Sequence, residues 1–172
     1  MRKICCIFLL LSINSCIIRV PVKKENDSSD KFSVADFQTL HPNTEFIDLS
    51  AEKIDSITNT EKKAVFIVFA TWCAPCYANL RSGYYRALQE RLKGVKVVFL
   101  SLNYDLSHWQ KFNSEKLPSD IFFFQTTYVS ENEKIQNLRN LLCKKCDTVL
   151  GVPQYFWFEN GELLSTSRDY TF

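Results

Sequence analysis

Apolar positions along this chain fall into runs and stripes of two different periods, and their alternation predicts the order of elements. Ala64-Val65-Phe66-Ile67-Val68-Phe69-Ala70 is a continuous apolar, β-branched run, the pattern of a central strand covered on both faces. Tyr77, Leu80, Tyr84, Leu88 and Leu92 then recur at helical spacing. They predict one helix, weakened by Gly83 and ended by Gly94 as a C′ glycine. Residues 95–102 form a second buried run, and a strand–helix–strand connection of this length implies parallel strands. Upstream, Phe46-Ile47-Asp48-Leu49 reads as a short strand, and Ser50 as the N-cap of a modest helix to about Ile57. Downstream, residues 105–115 predict a short helix, and Ile121-Phe122-Phe123-Phe124 is either an extra strand or an apolar packing segment. Ser130-Glu131-Asn132-Glu133 has capping-box spacing, and Ile135, Leu138, Leu141 and Leu142 continue one helical face. Asn160-Gly161 between two strand-like segments predicts a tight antiparallel hairpin. The architecture is α/β, a central mixed sheet of four to five strands flanked by helices.

The N-terminus follows a different pattern. Met1-Arg2-Lys3 is a short positive region, and residues 4–13 form an apolar run too short to span a bilayer core of ~30 Å comfortably as a helix. Ile13-Asn14-Ser15-Cys16 resembles a bacterial lipoprotein cleavage box, in which the cysteine is lipidated and becomes the new N-terminus. An uncut membrane anchor or an ordinary cleaved secretory peptide are the alternatives, and all three place the following domain outside the cytoplasm. The chain then divides into a signal peptide over residues 1–16, a flexible tether over 17–43 and one folded domain over 44–172. The tether reading rests on residues 23–31, which contain almost no apolar side chain to offset the entropy of ordering.

Composition narrows the function. Hydrophobic residues make up 46% and charged residues 23% of the 172, which suits a folded domain. The 21 Lys+Arg against 19 Asp+Glu give +2, too little to gather nucleic acid. Only 4 glycines are present, and no phosphate loop or metalloprotease helix motif occurs. No cofactor is called for, and no metal site is assigned on these grounds.

Chemistry gathers in the seven cysteines. Beyond Cys5, Cys6 and Cys16, they form two C-x-x-C pairs, Cys73/Cys76 and Cys143/Cys146. A strand that ends in Trp72-Cys73-Ala74-Pro75-Cys76 and opens a helix puts Cys73 where unpaired N–H groups and the helix dipole favour a thiolate. Cys73 is therefore the candidate attacking sulfur, and Cys76, one turn inward, the resolving one. Pro75 suits a first turn whose N–H groups lack partners in any case. His41 and His108 are isolated and read as core or surface residues. The aromatic runs Phe122 to Phe124 and Phe156 to Phe158 read as packing.

These residues resemble the thioredoxin family, and Ala70-Thr71-Trp72-Cys73-Ala74-Pro75-Cys76 is most similar to its exported, membrane-anchored reductase branch. A second match is Gly151-Val152-Pro153, followed by a strand and Glu159-Asn160-Gly161-Glu162, which is similar to the family's cis-proline loop. The resemblance covers roughly residues 44–167. It implies a thioredoxin-like fold, a cis Val152–Pro153 bond, and a Cys73–Cys76 redox disulfide exchanging with protein thiols or disulfides. It also implies a substrate surface formed by Trp72, Pro75, Val152 and Pro153, and an upstream electron-donating redox protein. A non-catalytic thioredoxin-fold module that binds a partner or a metal is the rival reading.

Three departures from the family pattern stand out. Ile67 occupies the position where the family carries a buried acid or, in the exported branch, often an Asn. Residues 101–151 are longer than in a minimal thioredoxin. The sequence given ends at Phe172, shortly after the last predicted strand, so the family's closing helix is expected to be missing. The longer segment carries Cys143-Lys144-Lys145-Cys146, where the helix dipole opposes a thiolate and the lysines favour one. A structural disulfide, an auxiliary redox pair exchanging with Cys73/Cys76, and metal binding all remain open for Cys143 and Cys146.

Overall fold

The computed structural model describes residues 33–103, 105–124, 131–143, 146 and 151–168. The expected signal peptide, Cys16, the polar run 23–31, Ser130, Lys144 and Lys145 lie outside the described residues.

In chain order the elements are α1 (Val34–Leu40), β1 (Glu45–Leu49), α2 (Ala51–Thr60), β2 (Lys63–Phe69), α3 (Ala74–Ser82), α4 (Tyr84–Arg91) and β3 (Lys96–Ser101). There follow α5 (Leu106–Trp109), a 3-10 turn (Ser114–Lys116), β4 (Asp120–Phe124), α6 (Glu131–Leu142), β5 (Gln154–Glu159) and β6 (Glu162–Ser167). The strands form one sheet in the order β1-β4-β3-β2-β5-β6. β1 to β4 run parallel to one another, whereas β5 is antiparallel to both β2 and β6. This is the thioredoxin-like α/β arrangement expected from the two motifs.

The parallel core follows from the apolar runs. Ala64 to Phe69 are all buried in β2, which requires cover on both faces of the sheet. β2 aligns Val65 with Val97 and Ile67 with Phe99 on β3, and Ile67 with Tyr155 on β5. The hairpin turns at Asn160 (φ 50°) and Gly161 (φ 84°), both in the left-handed region that a two-residue turn demands.

Four expectations need correction. First, the sheet has six strands rather than four to five. Residues 120–124 are a full strand inserted between β1 and β3, pairing Glu45 to Leu49 with Asp120 to Phe124. Second, the single helix expected from Tyr77 to Leu92 is two helices. Gly83, at φ 80°, ends α3 by donating its N–H to the carbonyls of Asn79 and Leu80 and then starts α4. A left-handed residue cannot continue a right-handed helix. Third, residues 105–115 supply only the four-residue α5, capped by Asp105, and the start of the 3-10 turn. Fourth, folded structure reaches into the segment expected to be tether. The Asp36 carboxylate accepts the Ser33 N–H at 2.7 Å, and Phe37 on α1 is wholly buried. Among the described residues, no helix follows β6.

An aromatic cluster secures this N-terminal helix. The Phe37 ring lies 4.8 Å from Phe123, Phe46 stacks on Phe123 at 5.7 Å, and Trp109 meets Phe46 edge-on at 5.5 Å. Buried His41 adds polar ties, with Nδ1 2.9 Å from Ser114 Oγ and Nε2 2.9 Å from the Trp109 carbonyl. Desolvation is the main force on its imidazole and holds its pKa below the usual 6.5.

Candidate active site

The site forms where β2 ends and α3 begins. Cys73 is the N-cap residue of α3, in extended conformation, and its carbonyl accepts the Tyr77 N–H at 2.8 Å. One turn inward, Cys76 is fully buried. The two sulfurs stand 2.7 Å apart as free thiols, a separation from which a small movement forms or breaks the S–S bond. Cys73 keeps 7% of its surface accessible, whereas Cys76 has none, so only the Cys73 sulfur is open to an approaching molecule. Around this opening Trp72 is half exposed, and Ala74 and Pro75 are exposed.

Register brings the second motif here across 79 residues. β5 runs antiparallel beside β2, with Gln154 opposite Val68, so the loop preceding β5 arrives beside the residues following β2. In that loop Val152–Pro153 is cis, as the resemblance implies. The Cys73 thiol donates to the Val152 carbonyl at 3.2 Å. Val152 and Pro153 are partly exposed, and the buried Gln154 side chain accepts the Gly151 N–H at 3.1 Å, pinning the loop from beneath. Trp72, Cys73, Pro75, Cys76, Val152 and Pro153 therefore belong to one locality.

A polar network supports the residue before Trp72. The Thr71 N–H donates to Asn103 Oδ1 at 2.9 Å, and Asn103 Nδ2 donates to Thr71 Oγ1 at 2.6 Å. His108 Nδ1 is 3.2 Å from Thr71 Oγ1 and 3.5 Å from an Asp105 carboxylate oxygen. The loops following β2 and β3 are thereby joined at Thr71. Asn103 and His108 were not visible as site residues in the sequence, because neither belongs to a motif and the register of two parallel strands brings them to Thr71.

Electrostatics separate the two thiols. Burial above all, then the hydrogen bond to Cys73, pushes the Cys76 thiol up to about 12. Cys76 is thus a protonated reserve in the resting dithiol. Ile67 is completely buried between Phe99 and Tyr155 in the sheet register and offers no proton acceptor. Tyr85 on α4 is also fully buried and close enough to Cys76 for each to influence the other's ionisation.

Cys143 and Cys146 are joined in a disulfide, with Cα atoms 5.4 Å apart, where α6 ends. Cys143 is buried, and its N–H donates to the Arg139 carbonyl at 2.7 Å. In this bonded state the pair presents no thiolate to complete a four-cysteine metal site. Among the described residues, no group of three or more His, Cys, Asp or Glu side chains is placed to hold a metal ion.

No family model and no curated protein matches the chain. Solved structures do resemble it. Thioredoxin from Plasmodium falciparum matches at 15% identity and TM-score 0.40, over 70% of this chain and 83% of that one. StoA from Bacillus subtilis matches at 21% identity and TM-score 0.41, over 64% of this chain and 76% of that one. Thioredoxin from Trypanosoma brucei brucei matches at 15% identity and TM-score 0.41, over 74% and 79% respectively. Likeness at this level decides nothing about activity, which has to be read from the site itself.

Proposed function

We propose that this protein is a thiol–disulfide oxidoreductase that exchanges a Cys73/Cys76 dithiol with protein substrates. The observation that carries this reading is the placement of the accessible Cys73 sulfur 2.7 Å from the buried Cys76 sulfur and 3.2 Å from the Val152 carbonyl. Cys73, as thiolate, attacks one sulfur of a substrate disulfide. A mixed disulfide forms, and one substrate sulfur departs as thiolate. Cys76 then attacks Cys73, the Cys73–Cys76 bond forms, and the substrate leaves as a dithiol. Its two electrons have come from the Cys73/Cys76 pair, which an upstream redox protein must reduce again. An extended substrate segment would lie over Trp72 and Pro75 and pair with the backbone at Val152 and Pro153. Reduction is the direction favoured by the sequence resemblance to the exported reductase branch.

The same reading extends to location. Met1-Arg2-Lys3, the apolar run and Ile13-Asn14-Ser15-Cys16 support export and lipidation of Cys16, with the domain held on the extracytoplasmic face of a membrane. Loss of radiolabelled acyl chain on Cys16→Ser tests the anchor.

Activity is tested by trapping. Cys76→Ala leaves the nucleophile without its resolver and should accumulate mixed disulfides with protein partners, which Cys73→Ala abolishes. A Cys73→Ala protein that still reduced insulin disulfides at the wild-type rate would overturn the proposal.

A further inference from the structure

A buried hydroxyl without a well-formed hydrogen bond stands near the resolving thiol. The Tyr85 hydroxyl is fully buried and makes no hydrogen bond of good geometry in the dithiol state, although it lies near enough to the Cys76 thiol and the Asn79 side chain to act on both. Its ring is held between Phe69 and Phe99, with centroids 5.6 Å and 5.4 Å away, so it cannot swing out to water. Its polar neighbours are the Cys76 thiol, Asn79 of α3 and Tyr155 of β5. Cys73 is the other titratable group acting on Cys76. Ile67 brings no carboxylate to this interior.

An interior hydroxyl without a well-formed hydrogen bond is unfavourable unless a better acceptor appears. Resolution creates one. As Cys76 loses its proton its sulfur becomes an anion, and a hydrogen bond from a neighbouring O–H to that anion is charge-assisted. We propose that Tyr85 donates a hydrogen bond to the Cys76 thiolate during resolution of the mixed disulfide, stabilising the attacking sulfur in an interior that holds no buried carboxylate among the described residues. Tyr85 takes no proton in this role. Its own ionisation is driven far upward by burial and then by Cys76, which keeps it a donor. The step balances: the Cys76 S–H bond breaks, Cys76 Sγ bonds to Cys73 Sγ, the Cys73–substrate bond breaks, and the proton ends on the departing substrate thiol. Two electrons pass to the substrate and the Cys73–Cys76 pair is oxidised.

This inference rests on the exchange activity proposed above, and the test separates the two. Tyr85→Phe deletes one oxygen from a packed ring. With a fluorescent peptide disulfide as substrate, rapid chemical quench resolves mixed-disulfide formation from its decay. In Tyr85→Phe the decay should slow about tenfold or more, the scale of a hydrogen bond to a charged group, and the mixed disulfide should accumulate. The slowing should be absent in a Cys76→Ala background, where nothing is resolved. In a Cys73→Ala background, peptide-resolved alkylation across alkaline pH should show the Cys76 midpoint moved upward by about one unit when Tyr85 becomes Phe. Unchanged decay together with an unchanged midpoint overturns the role of Tyr85 and leaves exchange standing. Wild-type protein that forms no mixed disulfide overturns both.

Discussion

Burial of Cys76 should be measurable as a loss of folding stability at alkaline pH. In the unfolded chain this thiol titrates near its ordinary value of 9.0, whereas in the folded dithiol it is pushed up to about 12. The folded state therefore holds the proton more tightly. Its contribution is complete below pH 9 and is lost as pH rises toward 12, with a limiting slope of ~1.4 kcal/mol per pH unit. Between pH 8 and pH 10 the expected loss is about 1 kcal/mol. The comparison is best made in a Cys73→Ala background, because burial is the largest cause of the shift and persists without Cys73. Urea unfolding of Cys73→Ala and Cys73→Ala/Cys76→Ala is followed at pH 8, 9 and 10 under a non-thiol reductant. Common alkaline effects, including those of the other cysteines and the tyrosines, cancel in the difference. The Cys76-containing protein should lose about 1 kcal/mol relative to its counterpart, a midpoint change of roughly 0.5 M urea. A difference that stays constant over this range refutes the reasoning and removes the basis for treating Cys76 as a protonated reserve.

Three further outcomes are expected. Gly83→Ala forces a side chain into a φ of 80° and should destabilise the fold by about 1–2 kcal/mol in urea or thermal unfolding, although the nearest atom to the new methyl is a tolerable 3.6 Å away. Burial holds His41 below its usual pKa, so stability should fall as pH drops from 7 to 5, and His41→Gln should flatten that part of the curve. Trp109→Ala removes a fully buried ring from the cluster with Phe37, Phe46 and Phe123 and should cost about 3–5 kcal/mol, read as a lowered urea midpoint.

The sequence by itself determined the parallel core, the closing hairpin and the dithiol. Each is written in contiguous residues: the apolar run from Ala64 to Ala70, the Asn160-Gly161 turn, and a cysteine pair spaced for one helical turn. Tertiary structure decided what depends on neighbours distant in the chain. Residues 120–124 are a strand because β1 and β3 flank them, and a short apolar run has no periodicity of its own to say so. Residues 34–40 form a helix because Phe37 finds Phe123 and Trp109 to pack against, which a stretch following a polar tether does not advertise. The helix expected to run through Gly83 breaks there, since helical spacing continues on both sides and only the backbone's left-handed turn separates them. At the site, the motif located Cys73 and Cys76, but packing distinguished an accessible sulfur from a buried, proton-retaining one. Asn103 behind Thr71 and Tyr85 beside Cys76 came only with the fold, because burial, and not a pattern in the chain, gives those side chains their partners and their significance.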